Sequence, residues 1–268
     1  MHAPHTGSLL TKAPSEITSD DEPFAYDWAS DPLPDPGTLY LATTSLILTD
    51  SQAHMEVYKP HFDLVQLMPT TVFGPNPLAE NAAQLRTGSN AMLLDYILGQ
   101  LTPGELVVTA SVHIFDVVAA HVKALDTSVP PGRYILQGDH GMTPWGIAAS
   151  VLETYFPTFV GPVFVKKPPN IKLVFVILDT GKAERALDFA FRTFSEQVFD
   201  TARQYLSLLP MARPVATGAE AGKPFATRPN EDRKAMITRM LMRAATMLLE
   251  KAGVPPVGTQ WQRNTRSA

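Results

Sequence analysis

The sequence predicts an α+β fold: a mixed sheet packed with several helices, an extended N-terminal arm, and a long C-terminal helix beyond a linker. Three observations carry this. Short runs rich in β-branched and aromatic residues recur through the centre of the chain. Apolar residues at steps of three and four fall between them, and both ends are dominated by Pro, Gly and charge. With 268 residues, 45% of them apolar, the chain can bury a sizeable core in one large domain.

Residues 1–37 hold six prolines and little apolar periodicity, the composition of an extended arm. The core domain is expected over 38–209. "TLYLATTSLILT" (38–49) should open the sheet, and "AHMEVYK" and "HFDLVQLM" should be further strands split by Pro60. "LAENAAQLR" reads as a short helix, and Ser89 or Asn90 can cap "AMLLDYILGQL". "ELVVTA" and "RYILQ" are strand-like, separated by the helical "SVHIFDVVAAHVKAL" with Ser111 as its cap. Pro144 stands near the start of another helix, "PWGIAASVLETYF". "GPVFVK" and "IKLVFVILD" around "KPPN" read as an antiparallel hairpin. From Lys182 to Leu209 the apolar positions 187, 191, 194, 198, 202, 205 and 209 predict one long helix. Residues 210–229 have linker composition, and Asn230 caps a Met-rich helix that leads into a basic tail over 230–268.

Charge is divided unevenly. Residues 1–37 carry seven acids and one lysine, whereas 210–268 carry ten bases and four acids. Opposite ends of this kind suit contacts between copies of the chain. With no cysteine, disulfides, thiolate metal sites and Cys nucleophiles are excluded. No signal-peptide core is present at the N-terminus and the longest apolar run, 173–178, is six residues, so a cytoplasmic or virion location without membrane insertion is expected.

The most chemically suggestive stretch is "ILQGDHGMTPWG" (135–146). Its "GDHGMT" resembles a metal-binding motif of the alkaline phosphatase superfamily, in which an Asp-His pair at a strand end binds one of two metals. The resemblance implies Asp139 and His140 as ligands in a metal-dependent hydrolase. It covers about six residues. The superfamily's second Asp, spaced by three from a His, has only Asp116 and His121 as counterparts, with four residues between them. An independent site could add His113, Asp116 and His121 to Asp139 and His140. Against this stands the ordinary use of Asp in a Gly-framed turn, which bonds its own backbone. No G-x-G-x-x-G, P-loop, G-x-S-x-G or H-E-x-x-H pattern occurs anywhere in the sequence.

The helix from Ala235 to Glu250 is apolar over most of its circumference and contains Met236 and Met240. These features predict a non-enzymatic structural or adaptor subunit of a large homo-oligomeric assembly, such as a virus particle or secretion machine. Its partners would be other copies or other assembly subunits, with no cofactor, no membrane, and nucleic acid not the main ligand. Asp20, Asp21, Glu22, Met236, Met240, Arg239, Arg243 and Trp261 are the contact residues this expectation names.

Overall fold

The computed structural model describes residues 17–18, 36–139 and 142–210. The chain divides into a unit ending at Val215 and a second from Ala216 to Ala268, the second lying wholly outside the described residues. The predicted Met-rich helix, its tail and residues 216–229 of the predicted linker fall there.

The first long element corrects the expected opening of the sheet. Residues predicted as two strands, 38–49 and "AHMEVYK", form one helix, α1 (Pro36–Tyr58). Pro36 occupies the first helical position, where its missing N–H costs nothing. The Thr and Ser side chains that favour a strand by propensity are absorbed inside the helix: Thr44 Oγ1 donates to Tyr40 O at 3.1 Å, and Ser51 Oγ donates to Ile47 O. Tyr40, Thr44, Leu48 and Gln52 recur every four residues on one ridge, and Thr44 and Leu48 are buried. Lys59 at φ 43 and Pro60 end the helix.

Among the described residues eight short strands follow or flank it: β1 (Ile17–Thr18), β2 (Val65–Pro69), β3 (Thr71–Phe73), β4 (Leu106–Val108), β5 (Ser111–His113), β6 (Gly132–Leu136), β7 (Lys172–Val174) and β8 (Ile177–Leu178). They pair as β1–β8, β2–β6, β3–β5 and β4–β7, each parallel. The expected antiparallel hairpin around "KPPN" is therefore corrected. Its second half supplies β7, which pairs with β4 and not with "GPVFVK". The mixed helix-and-strand class stands, built among the described residues from parallel pairs.

The helices are α2 (Ala82–Leu85), α3 (Ser89–Ile97), α4 (Ile114–Lys123), α5 (Ala148–Tyr155), α6 (Gly181–Leu187) and α7 (Phe194–Ser207). Two further boundaries differ from expectation. Ser111 lies in β5, and the cap of α4 is His113, whose side chain accepts from the Phe115 N–H. The single helix predicted over 182–209 is two. Asp188 is left-handed at φ 52 and closes α6, and a capping box between Thr193 and Glu196 opens α7.

The β2–β6 pair is covered on both faces. Leu67, Tyr134 and Leu136 pack with Ala120 of α4 and with Ala183 and Leu187 of α6. Met68 and Ile135 point the other way and pack with Leu48 of α1 and Leu178 of β8. Alternation along a two-sided strand demands this arrangement. A separate aromatic cluster of Phe73, Tyr96, Trp145, Phe164 and Phe194 is enclosed by α3, α5 and α7.

Candidate functional site

In sheets of parallel strands, ligands bind in the crevice outside the carboxyl ends of the strands. Contacts along α1 show which end of the helix overlooks that crevice. Gln52 Oε1 accepts from Arg133 Nη2 at the start of β6, at 2.6 Å. Gln66 Nε2 of β2 donates to Leu48 O at 3.3 Å, and Leu48 packs with Met68 and Ile135 further along the strands. The helix therefore runs antiparallel to β2 and β6. Thr44 lies about 6 Å beyond Leu48, level with Thr70, and Tyr40 lies about 12 Å beyond it, past the strand ends. Tyr40 is half exposed.

Under Tyr40's end of the helix the strand ends carry a polar floor. Thr70 is buried, and both its amide and its Oγ1 donate to Leu136 O, at 3.1 and 3.2 Å. Ser111 Oγ and Thr143 Oγ1 share a buried hydrogen bond of 2.8 Å. Gln137, the residue after β6, is wholly buried, and neither atom of its carboxamide has a hydrogen-bond partner. A buried, unsatisfied amide costs about 1–3 kcal/mol, and the Gln197 carboxamide on α7 is buried in the same unpartnered state.

The residues singled out for metal binding are engaged elsewhere. Asp116 is buried, and its carboxylate accepts from the Arg192 amide at 2.7 Å and from the Arg192 guanidinium. Burial pushes this carboxyl above the ordinary carboxylate range, against the pull of the Arg192 hydrogen bonds and charge. His113 is also buried. Its Nδ1 accepts from Phe115 N–H at 3.1 Å, which assigns the ring proton to Nε2, 3.2 Å from Asp200 Oδ2. Nε2 and the carboxylate meet at ion-pair distance without the alignment of a true hydrogen bond. His121 Nδ1 bonds its own helix at Val117 O, 2.7 Å. Asp139, at φ 55, accepts from the Phe194 N–H and so anchors the start of α7.

Among the described residues no three His, Asp or Glu side chains gather as a metal would require. His140 lies outside the described residues, as do Asp20, Asp21, Glu22, Met236, Met240, Arg239, Arg243 and Trp261. The sequence reading missed Tyr40, Gln137 and Arg192. The four-residue ridge through Tyr40 was the available signal for the first, and the strand reading of 38–49 hid it.

No protein-family model matches the chain. Curated relatives do. The ketoreductase sphI of Aspergillus fumigatus is 31% identical over 186 residues, covering 69% of this chain and 54% of that protein. The ketoreductase CTB6 of Cercospora nicotianae is 27% identical over 203 residues, 73% of this chain and 54% of its own length. Among solved structures, the yeast methylglyoxal/isovaleraldehyde reductase Gre2, crystallised with NADPH, matches with a TM-score of 0.57 at 21% identity. That match covers 72% of this chain and 58% of the yeast one. The fold is thus similar to that of such reductases, and the chain spans about half the length of the curated relatives it matches.

These relatives overturn the expected non-enzymatic assembly subunit and, with it, the metal-dependent hydrolase. The chain's similarity is to oxidoreductases. Charge asymmetry and a Met-rich helix report on a capacity to associate. They carry no information about chemistry done elsewhere in the chain, and that is why they misled.

Proposed function

We propose that this chain is the substrate-facing part of a carbonyl-reducing oxidoreductase that works with a nicotinamide dinucleotide. The observation that carries this is the 31% identity to a ketoreductase over 69% of the chain. The crevice at the carboxyl ends of β2 and β6 supports it. Reducing a ketone requires a proton donor at the carbonyl oxygen, and α1 sets the phenol of Tyr40 beside that crevice. Gln137 supplies an amide that can orient a polar substrate atom.

The described residues do not fit the dinucleotide's pyrophosphate. The sequence has no G-x-G-x-x-G, and the glycine-bearing turn after β6 is already filled. A Cβ at Gly138 would lie 2.4 Å from Arg192 O and 3.0 Å from Gln197 Nε2, so the α7 side of the chain occupies the space a phosphate would need. At Gly181 the same construction meets the chain's own Arg185 and Asp179. Among the described residues the chain's part in this reading is to face the substrate and supply its proton.

A covalent chimera tests the reading. In the A. fumigatus ketoreductase, the matched stretch is replaced by this chain, and reduction of that enzyme's ketone with NADPH is followed at 340 nm. The expected result is turnover that falls about 100-fold or more on Tyr40→Phe, with unchanged thermal stability because Tyr40 is half exposed. The lower end of the usual range is expected because α1 contains no Lys or Arg to assist the phenol. A folded, NADPH-binding chimera with no ketone reduction, or with turnover indifferent to Tyr40→Phe, defeats the proposal.

A further inference from the structure

We infer that the outward face of α4 is a docking surface for a second copy of this chain, seated antiparallel on the same face. At about 100° per residue, Phe115, Val118, Val122 and Leu125 fall within about 80° of one another around the helix axis. They are 46%, 54%, 65% and 73% exposed. Leu125 follows the last turn of α4 and stays in register with it, its N–H donating to Val122 O at 3.2 Å. The packed side is half a turn away. Asp116 and Ala120 are buried there, Ala120 among Leu67, Tyr134 and Leu187.

A surface helix is ordinarily apolar toward its core and polar on the opposite side. α4 is apolar on both, and no charged side chain interrupts its outward stripe. A continuous exposed stripe of this kind marks a contact surface. It belongs to the α4 side of β2 and β6, whereas α1 overlooks the crevice from the other side. The pairing is therefore independent of the chemistry proposed at the crevice.

Three features select the occupant. The spacing is palindromic: steps of three, four and three residues read the same from either end. Two copies laid antiparallel about a two-fold axis level with Ala120 set Phe115 against Leu125 and Val118 against Val122, each contact made twice. Steps of three and four are those with which helices pair side by side. Charge agrees with the direction. The Arg192 guanidinium lies over the Phe115 ring, 5.6 Å from its centroid, and its side chain is 40% exposed. Asp126 is exposed next to Leu125 at the opposite end. Antiparallel docking brings each Arg192 to Asp126 of the other copy, whereas parallel docking would set Arg192 against Arg192. Size is the third feature. The stripe offers on the order of a few hundred Å² per copy, short of the roughly 800 Å² per partner of a standard interface. A two-fold pair uses so small a patch twice, and the dimer should be weak, with a Kd of about 1–100 µM.

Light scattering and sedimentation of the full chain test this. The mass should rise from that of one chain to that of two across about 1–100 µM. Val118→Glu puts a carboxylate into the apolar seam against Val122 of the second copy, and should weaken the dimer about 10-fold or more. Val118→Glu combined with Val122→Lys gives each copy two opposite charges that meet across the axis only in an antiparallel pair. This double variant should dimerise at least about 5-fold more tightly than Val118→Glu alone. Both positions are more than half exposed, so both variants should unfold at the temperature of the unaltered chain. If either misfolds, cysteine substitution decides, since the chain has no cysteine of its own. A mildly oxidised mixture of Val118→Cys and Val122→Cys proteins should cross-link 118 to 122 in preference to like with like.

A chain that stays monomeric up to about 1 mM overturns the proposal. So does a dimer indifferent to Val118→Glu, which would place the contact on another face. A double variant weaker than the single one, or cross-links of like with like, would mean a parallel pair and equally overturns it. A chain that dimerises alone but is monomeric within the chimera would show that polypeptide of the larger fold covers the stripe, and would rule out the second copy.

Discussion

The aromatic cluster around Trp145 and the layer between α1 and β2 are both hydrophobic, yet only one is finished. Trp145 is 2% exposed, its ring lies edge-on to Phe73 and Tyr96 at 5.7 and 5.2 Å, and its Nε1 donates to Val108 O at 3.2 Å. Elements of the chain itself enclose it, namely α3, α5 and α7. The α1 layer has Leu48 and Met68 buried, but Leu46, Ile47 and Tyr40 are each about two-fifths or more exposed. The difference separates a closed aromatic core from a layer whose helix leaves apolar side chains exposed.

The comparison breaks first at Trp145. Trp145→Ala should cost about 3–5 kcal/mol in urea unfolding, since it removes a large aromatic, three ring contacts and the donor to Val108 O. Leu48→Ala should fall at or below the low end of the usual range for such truncations, about 2 kcal/mol, because its surroundings are only partly closed. Equal costs at the two positions would mean that the α1 layer is as complete as the Trp145 core.

A smaller effect is expected at the ion pair that joins α4 to the start of α7. Arg192→Ala leaves the buried Asp116 carboxylate with no counter-charge, and about 2 kcal/mol should be lost at pH 7; the 40% exposure of the Arg192 side chain holds the figure below that of a fully buried pair. The sign with pH follows from the raised pKa of Asp116. A carboxyl that binds its proton more tightly folded than unfolded contributes stability below its unfolded value, about 3.9, and that contribution is lost as pH rises through the folded value. Removing Arg192 raises the folded value further. The gap between variant and wild type should therefore be widest at neutral pH and nearly vanish near pH 3.5, where the carboxyl is neutral in both states. A gap still fully open at pH 3.5 would mean that Asp116 stays ionised there, held by Arg192 more strongly than burial opposes it.

How much of this was legible in the sequence depended on how far each signal was local. Short elements bounded by turn residues were readable: "RYILQ" is β6 and "AMLLDYILGQL" supplies α3. α1 was misread because Thr, Ile and Tyr favour strands by propensity. The Thr44 and Ser51 hydroxyls satisfying their own helix is a context effect that propensity does not contain. The break at Asp188 was hidden because Phe191, in the non-helical stretch between α6 and α7, is itself a buried core residue and so continues the apolar spacing. The site was less legible still. Tyr40 and Gln137 stand almost a hundred residues apart in the sequence, and no short motif ties them together. "GDHGMT" was conspicuous as a pattern, yet Asp139 proves to be an anchor for α7.

The smallest expected effect is the most informative about the α1 layer. Leu46→Gln with Ile47→Gln alters two side chains that are each about two-fifths exposed and lie off the buried Thr44–Leu48 ridge. In the isolated chain the pair should change unfolding free energy by no more than about 0.5 kcal/mol, because little apolar contact is lost and both new side chains reach water. A loss of 2 kcal/mol or more in the lone chain would place Leu46 and Ile47 inside a core of this chain, and the α1 layer would then be finished after all.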